Sequence, residues 1–462
     1  WIGILEEYLK SFDPYIIGVS CMFDSSIKPL MEILEYLKQI NRSIVIAGGV
    51  IASYEWENIL SRDLSHFVVR GEGENKINCL LDLLIEEMSK NELTPGIHYK
   101  LGKKFYVSNE GTDIVSLKGD LIDSYSLIPI EEYSKYGSLN PFSRMAGIEK
   151  TCFAAIQMNR GCRAACNFCS VRDFVGKGVR KRLTCDVLGE MEFLINKRGI
   201  RHFEWLDDDL LFYKAELHSI LETIIEKKWD ITWSANNGLI AKSIDDKTLK
   251  LMKHSGCIGF KIGIETGNKE MLRKIRKPAK LDDYRRVSSL LGSYPGIFVG
   301  GNFIIGFPGE KFGQLMDTFR FCLELSLDWS AFTLCQAIRG ASAFADFQDF
   351  FDEQINSVGD NVKNFIPTRE TSNGTLFENK KVLKSIEVFK ILPDSVPDEN
   401  QKKEIWFTFN LICNFIFNKN LKPGGNTKKF ISWVEMAQAA YPVNPYMSMF
   451  LALAYTIDED SV

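Results

Sequence analysis

The sequence lacks the features of a membrane protein and of a net-basic nucleic-acid binder. It has no continuous apolar run of the ~18 residues that a membrane-spanning helix needs. The richest stretch, residues 406–417, is interrupted at Asn410 and Asn414 and followed by Asn418. It also lacks an excess of positive charge, because 56 basic and 60 acidic residues leave a net charge of −4. A net charge of this sign does not indicate a nucleic-acid-binding protein, although it is compatible with a local basic patch.

The cysteines do not form the even, dense set of a disulfide-stapled protein. There are eleven in 462 residues, an odd number spread along a long chain. This usage favours a reducing compartment, so we expect a cytoplasmic protein. The length predicts two to four domains. The chain opens at Trp1 with no signal-peptide pattern, so we expect it to begin inside a domain.

The first hundred residues alternate between helical and strand patterns. Apolar runs at 15–20, 43–47 and 66–70 predict buried parallel strands, and helical spacing is found at 2–11, 30–40, 56–60 and 77–88. This order predicts an incomplete Rossmann-like domain over residues 1–95. Ligands of such sheets bind at the carboxyl ends of the strands. Those ends carry Ser20, Gly48, Gly49, Gly71 and Glu72.

The rest of the chain predicts three further regions. Residues 96–147 form a linker with a short hairpin at 99–106. Residues 148–343 contain six strand patterns with helices between them, which predicts a partial (β/α)6 barrel. Residues 344–462 predict a mainly helical, aromatic region. We expect two basic segments, 273–280 and 419–429, to be solvated, although the second could also meet a phosphate or an acidic substrate.

The sharpest motif is Cys162-x3-Cys166-x2-Cys169, directly after the first barrel strand. Barrel enzymes keep their active sites at this end. Three cysteines in one short loop suit a 4Fe–4S cluster with one iron left open. A zinc site would need a fourth ligand, and none stands at finger-like spacing. A redox pair would explain Cys166 and Cys169 but not Cys162, and structural thiols seldom gather in so polar a loop.

This loop resembles that of the radical S-adenosylmethionine (radical SAM) superfamily. Three further segments resemble the family in the same order: the acidic run 205–209, GIETG at 263–267 and GNFIIGFPGE at 301–310. The resemblance implies cluster binding by the three cysteines. It implies that S-adenosylmethionine is bound by Phe168, Asp207, Asp208, Ser234, Glu265, Ile304 and Gly306. From the residues alone, the place of the acidic run after an apolar strand favours function over a solvated turn or a helix cap. For Glu265 a structural ion pair is an equal alternative.

Residues 13–74 resemble the second half of the cobalamin-binding domain that precedes the barrel in one class of these enzymes. The resemblance rests on GVSCM at 18–22, the glycine pair 48–49 and VVRGEGE at 68–74. It implies cobalamin binding by Ser20, Gly48, Gly49, Gly71 and Glu72. The DxHxxG loop of the His-on type is absent, and His66 is expected to face a neighbouring residue. A ligand-free Rossmann-like domain is the alternative.

The resemblance implies a methyltransferase that uses cobalamin as a methyl carrier and acts on an unactivated carbon of a small molecule or peptide. It also implies an external electron donor such as flavodoxin or ferredoxin. The alternative is a radical SAM enzyme that catalyses a rearrangement or cyclisation, with a purely structural N-terminal domain. A non-catalytic iron–sulfur or zinc scaffold is the third reading.

Overall fold

The fold is seen in a computed structural model. It describes residues 2–23, 26–40, 43–85, 95–108, 116–117, 119, 121–136, 138, 140–145, 147, 152–343 and 391–459. These residues form two compact units. In its described part the first holds residues 2–116, 168–176 and 337–343, and the second holds 117–167, 177–336 and 391–459.

The first unit is built on a five-stranded sheet in the order β1-β2-β3-β4-β5. Its strands are β1 (Ile16–Ser20), β2 (Ile44–Gly48), β3 (Phe67–Val69), β4 (Ile97–Leu101) and β5 (Lys104–Val107). Its helices are α1 (Ile2–Phe12), α2 (Ile27–Ile40), α3 (Gly49–Tyr54), α4 (Trp56–Ser61) and α5 (Glu74–Ile85). The first three strands run parallel, as the alternating pattern predicts. The predicted hairpin is confirmed, and it extends the sheet by pairing antiparallel with β3.

One core of the first unit lies under helix α2. Leu30, Leu34 and Leu37 recur at helical spacing and are buried against the sheet strands and α3. His66, at the start of β3, accepts a hydrogen bond through Nδ1 from the backbone N–H of Val45, at 3.0 Å. This contact agrees with the expectation that His66 faces a neighbouring residue.

The second unit contains the predicted six-stranded parallel sheet, in the order β6-β9-β10-β11-β12-β13. Its strands are β6 (Phe153–Ile156), β9 (His202–Trp205), β10 (Thr232–Leu239), β11 (Cys257–Glu265), β12 (Phe298–Ile305) and β13 (Trp329–Leu334). Its larger helices before residue 343 are α9 (Thr184–Arg198), α10 (Lys214–Glu226), α11 (Asp246–His254), α12 (Lys269–Lys274), α13 (Leu281–Leu291) and α14 (Phe312–Leu325). Short helices are α6 (Ile130–Tyr133) and α7 (Pro141–Met145), and in the first unit α8 (Val171–Phe174).

Sequence patterns missed one pair of strands. β7 (Asn159–Cys162) and β8 (Gly178–Lys181) form a two-stranded antiparallel ribbon that flanks the cysteine loop. Neither strand has the apolar run or the alternation that marks a buried strand, because each is four residues long and polar. Cys162 therefore ends a strand instead of lying in an open loop.

The side chains on the two faces of the barrel sheet differ in size and polarity. Phe260, Ile262 and Ile264 of β11 join the main hydrophobic core with the surrounding helices. The alternate residues Gly259, Lys261 and Gly263 lie on the opposite, inner face. An aromatic cluster forms one end of that face, because Phe142, Phe298 and Trp433 pack together. A Cβ added at Gly259 would lie 2.5 Å from the ring of Phe142.

The described C-terminal region is helical, as expected. It comprises α15 (Glu399–Leu411), a π-helical turn (Ile412–Ile416), a 3-10 turn (Lys419–Leu421), α16 (Thr427–Ala440) and α17 (Pro445–Glu459). Several aromatic residues expected in its core lie outside the described residues, namely Phe347, Phe350, Phe351, Phe365 and Phe377, as does Met88 at the end of the predicted fourth helix.

Asparagines cover the open edge of β13. Asn410 lies in α15, Asn414 lies in the π-helical turn and Asn418 follows that turn. They recur every four residues, and all three contact β13 or the residue before it. Asn414 accepts from the backbone N–H of Ser330 and donates to its carbonyl oxygen, both at 2.7 Å. Asn410 donates to the carbonyl of Phe332, and Asn418 to that of Asp328. These residues, which interrupt the apolar stretch, supply hydrogen bonds that a neighbouring strand would otherwise make.

The expectation that segment 419–429 is solvated is wrong for its two end lysines. Asp328 is 1% exposed and pairs with both Lys419 and Lys429, each at 3.1 Å. Asn420 donates to the same carboxylate at 3.1 Å. A buried carboxylate needs such partners, and the sequence pattern gave no sign of one 91 residues away from Lys419. The segment therefore stabilises the fold.

Within the described ranges, no helix is both long enough and apolar enough to cross a lipid bilayer.

Candidate functional site

The predicted residues of the first unit meet at one edge of its sheet. Ser20 ends β1 and is the register partner of Gly48, which ends β2. Gly71 and Glu72 follow β3, the next strand in the sheet. Ser20 is exposed and the other four are half-exposed, so this edge is accessible to a ligand. The structure thus brings these residues to the position where parallel sheets bind ligands.

Gly49 shows why this edge needs glycine. Its φ is +84°, and an added Cβ would lie 2.6 Å from the carbonyl oxygen of Cys21 and 2.8 Å from Ser20 Oγ. Any larger residue would be strained in backbone and packing. Sequence reasoning missed Ser53, whose buried hydroxyl donates to the carbonyl of Gly49 at 2.7 Å and accepts from the N–H of Gly71 at 2.9 Å. This one side chain joins the two glycine turns.

None of the three motif cysteines forms a disulfide with a described residue, and all three are half-buried. Cys162 ends β7, and Cys166 lies near the carbonyl oxygen of Arg276, with Sγ at 4.0 Å. Burial raises the pKa of the Cys162 thiol to about 12. Phe168 and Cys169 follow in the part of the loop that belongs to the first unit.

Among the described residues, no three His, Cys, Asp or Glu side chains are placed so that they could hold one metal ion. A 4Fe–4S cluster does not need such a group. In a 4Fe–4S cluster each cysteine binds a different iron, so the three sulfurs do not converge on one point. The cluster ligands Cys162, Cys166 and Cys169 remain a prediction from their spacing.

The acidic run is largely buried and not a solvated turn. The Asp207 carboxylate accepts from the backbone N–H groups of Met158 and Asn159, at 3.1 and 2.5 Å. Asp209 forms a bidentate ion pair with Arg163 of the cysteine loop, with N–O distances of 2.5 and 2.7 Å. Burial raises the pKa of Asp207 to about 7 and raises that of Asp208. Two of the three carboxylates therefore hold the strand end and the loop in place.

Ser234 is fully buried on the inner face of β10. Its hydroxyl lies 3.3 Å from Asn140 Nδ2 and 3.4 Å from His202 Nε2. Its hydrogen-bonding capacity is thus used within the protein. Two residues further along the strand, Asn236 Oδ1 is buried without a partner in the described part of the chain. Sequence reasoning missed Asn236, because an asparagine near a strand end has many structural roles.

Glu265 is buried and paired at the end of β11. Lys277 donates to its Oε1 at 2.6 Å, and both side chains are about nine-tenths buried. Glu265 has a φ of +67°, a strained conformation for a residue with a Cβ. The expectation that segment 273–280 is a solvated helix end is therefore wrong for Lys277. The sequence does not distinguish Lys277 from the basic residues around it, because those neighbours are also cationic but face the solvent.

Ile304 and Gly306 lie at the carboxyl end of β12. Ile304 is half-buried, and Gly306 adopts a φ of +81° in the turn that follows. Glu310 accepts from the N–H groups of Gly306 and Phe307 through Oε2, at 2.7 and 3.1 Å. Its Oε1 is buried without a partner in the described residues, and burial raises the pKa of Glu310 to about 7. The turn is thus fixed from within by its own carboxylate.

These features fit the groups that the motifs imply. The orphaned oxygen of Asn236 needs a donor, which a cofactor with amine and hydroxyl groups supplies. The buried Glu265–Lys277 pair offers opposite charges to an amino acid moiety. The accessible strand ends with Ser20, Gly48 and Gly49 fit the approach of a flat macrocycle with its tail.

The sequence matches the models of two protein families. The profile of the Radical SAM superfamily matches residues 156–322, and that of the B12 binding domain matches residues 4–80. The chain is 28% identical over 345 residues to the uncharacterized methyltransferase PH0819 of Pyrococcus horikoshii, covering 73% of this chain and 70% of the relative. It is 24% identical over 388 residues to the cytidylyl-2-hydroxyethylphosphonate methyltransferase of Streptomyces wedmorensis, covering 76% and 70%.

Two solved structures share the fold. The radical S-adenosylmethionine methyltransferase TsrM from Kitasatospora setae superimposes with a TM-score of 0.61 at 18% identity, covering 76% of this chain and 68% of that one. The cobalamin-dependent S-adenosylmethionine radical enzyme OxsB superimposes with a TM-score of 0.60 at 16% identity, covering 100% and 74%.

The two profiles occur in the order that the sequence predicts, and the fold is that of enzymes with both cofactors. The cofactors of this class are a 4Fe–4S cluster, S-adenosylmethionine and cobalamin. The chain therefore carries a B12 binding domain ahead of a radical SAM domain, the combination that cobalamin-dependent radical SAM enzymes have.

Proposed function

We propose that the chain transfers a methyl group from S-adenosylmethionine, by way of cobalamin, to an unactivated carbon of a small molecule or peptide. The observation that carries this proposal is the pairing in one chain of an accessible glycine-lined strand edge with a barrel that bears the cysteine motif. The methyltransferase names of two relatives support it.

The proposed roles follow the geometry of each unit. Residues 1–95 bind cobalamin at Ser20, Gly48, Gly49, Gly71 and Glu72. Residues 96–147 are the connecting segment, whose hairpin extends the sheet of the first unit. Residues 148–343 form the catalytic barrel, and the helices described in 391–459 pack against it. When bound, the cluster and cobalamin supply the electron transfer and the methyl carriage. Cys162, Cys166 and Cys169 hold the iron, while Arg163 and Asp209 fix their loop.

The chain's own contribution to S-adenosylmethionine binding is position and charge. Glu265 and Lys277 meet the amine and carboxylate of its methionine part, with Asp207 and Asp208 beside the strand end. The turn at Gly306, with Ile304, offers its backbone and an apolar surface to adenine. Phe168 and Ser234 complete the proposed set.

We further propose a flavodoxin or ferredoxin as electron donor, and the cytoplasm as the compartment. None of the eleven cysteines, all of which lie in the described residues, forms a disulfide, and a cluster of this kind needs reducing conditions.

The experiment is reconstitution with iron, sulfide and cobalamin, followed by addition of methyl-labelled S-adenosylmethionine and a reductant. We expect label in the corrinoid, and 5′-deoxyadenosine when a substrate is present. Corrinoid binding without any label in the corrinoid would refute methyl transfer. A protein that cleaves S-adenosylmethionine but takes up no corrinoid would be the rearranging or cyclising enzyme of the alternative hypothesis.

A further inference from the structure

One cation on the inner face of the barrel has no counter-ion in the part of the chain that the structure describes. Lys261 lies at the middle of β11, on the face that also carries Gly259 and Gly263. Its ammonium group forms no hydrogen bond and no ion pair with any described residue. It is only partly exposed, which makes an unpaired charge there costly.

Neighbouring charged groups on this face are satisfied elsewhere. Glu204 of β9 accepts from Ser143 and, at 2.7 Å, from Ser138. Glu265 is held by Lys277 at 2.6 Å. The two carboxylates are therefore committed, and Lys261 keeps an uncompensated positive charge.

Small residues lie around Lys261 on the inner face. Its side chain lies across Gly300, its register partner on β12, because an added Cβ there would lie 3.2 Å from Lys261 Cγ. Ala331 on β13 and Ala155 on β6 share this face and are half-exposed and exposed, so solvent reaches the face beside the lysine. Trp329, the register partner of Gly300 on β13, is the large neighbour at this level.

Burial lowers the pKa of the Lys261 ammonium to about 8. The cause is loss of hydration, and no nearby carboxylate acts against it. An anion that binds beside Lys261 would restore the lost stabilisation, so the site is primed for negative charge.

We propose that Lys261 binds an anionic group, a carboxylate or a phosphoryl group, of the substrate. This inference rests on the proposed function and adds the substrate class. The carboxylate of S-adenosylmethionine is assigned to Lys277, which lies by Glu265 at the end of β11. The Lys277 ammonium lies over Gly263, 2.8 Å from an added Cβ there, and Gly263 is two residues from Lys261 on the same face, roughly 7 Å along the strand. Lys277 is paired with Glu265, whereas Lys261 has no partner among the described residues, so Lys261 is the cation left for the second molecule.

The test measures acylation of Lys261 in the unmodified holoenzyme by a small amine-reactive ester, with site-resolved mass spectrometry. Cluster and cobalamin are loaded, and S-adenosylmethionine is present in every anion titration to fill its own site. A separate series without added anion compares acylation with and without S-adenosylmethionine. Acetate, inorganic phosphate and chloride are then added at equal ionic strength. Lys250, exposed on α11, is the internal control.

Acetate or phosphate is expected to slow acylation of Lys261 about tenfold at ten times its dissociation constant, and to leave Lys250 unchanged. Protection by acetate alone identifies a carboxylate, and protection by phosphate alone a phosphoryl group. No protection by either anion overturns the proposal, and so does protection by S-adenosylmethionine itself without an added anion.

A second measurement uses variants. The heat of binding of the protecting anion is expected to vanish in Lys261→Met and to persist in Lys250→Met. Persistence in a folded Lys261→Met protein overturns the proposal. Label transfer to the corrinoid is measured in the same preparations, so failure of the anion site is distinguishable from failure of the methyltransferase function.

Discussion

The two strand edges that we propose as cofactor sites are built in opposite ways. The edge of the first unit consists of glycines and an exposed serine, and its groups are backbone amides and carbonyls. The edge of the barrel consists of buried charged side chains with fixed partners, such as Glu265 with Lys277 and Asp209 with Arg163. A large ligand needs room and backbone access, whereas a small charged one needs oriented charges. Substitutions at the two edges should therefore fail differently.

The largest effect is expected for Cys166→Ala. Removing one of three cysteine ligands should reduce the iron content from about four per chain to nearly none and abolish cleavage of S-adenosylmethionine. Corrinoid binding should persist, because it belongs to the other edge. Iron analysis and corrinoid absorption check this, with Cys185→Ala on the exposed face of α9 as the control. Retained cleavage would refute the cluster assignment.

Lys277→Met should lower the free energy of unfolding by about 3–5 kcal/mol, because it leaves the Glu265 carboxylate buried and unpaired. The double variant Lys277→Met/Glu265→Gln should recover part of this loss, since the charge is then gone. Urea unfolding measures both. Lys269→Met, at an exposed position of α12, should change stability by less than about 0.5 kcal/mol. Equal stability of Lys277→Met and wild type would show that the pair is not desolvated.

Gly49→Ala should cost about 1–3 kcal/mol, because alanine is strained at a φ of +84° and its Cβ would meet the carbonyl of Cys21. Corrinoid uptake should fall as the edge shifts. Gly18→Ala in β1 is the matched control, since nothing lies within 4 Å of its added Cβ. Urea midpoints and corrinoid titration are the measurements. If both variants bind corrinoid normally, the glycine edge is not the cobalamin site.

Ser20→Ala should give the smallest change. The side chain is exposed, so stability should stay within about 0.5 kcal/mol of wild type. Loss of one hydrogen bond to cobalamin should weaken corrinoid affinity by about two- to tenfold. Equilibrium titration with hydroxocobalamin checks the affinity. An unchanged affinity would remove Ser20 from the proposed cobalamin contacts.

The sequence predicted the order of the strands and the two domains, because both show in local patterns. Alternating βα units and three closely spaced cysteines need no knowledge of distant contacts. The partners of buried charges were not predictable in this way. Lys277 stands in a basic run and Asp328 at the start of a strand, and only the fold shows which of their charges are removed from water.

Lys261 and Ser53 show a second limit of sequence reasoning. A lysine within an apolar strand has no signature, because its meaning depends on which face it shares and which small residues lie opposite. Ser53 joins Gly49 and Gly71 across 22 residues of chain, so no short motif contains it. The glycines themselves were found, but the positive φ that requires Gly49 is visible only in three dimensions.

The asparagine side chains along β13 make the catalytic barrel and the C-terminal helices a single folding unit. A protein cut after residue 343 would expose the backbone of Ser330 and Phe332, a ready template for pairing with other chains. Such a truncated barrel should aggregate, also because it loses Ile405, Phe409 and Cys413 from the main hydrophobic core. Exchange of C-terminal regions between relatives would have to carry the four-residue asparagine repeat with it, so the unit of inheritance extends to at least Asn418.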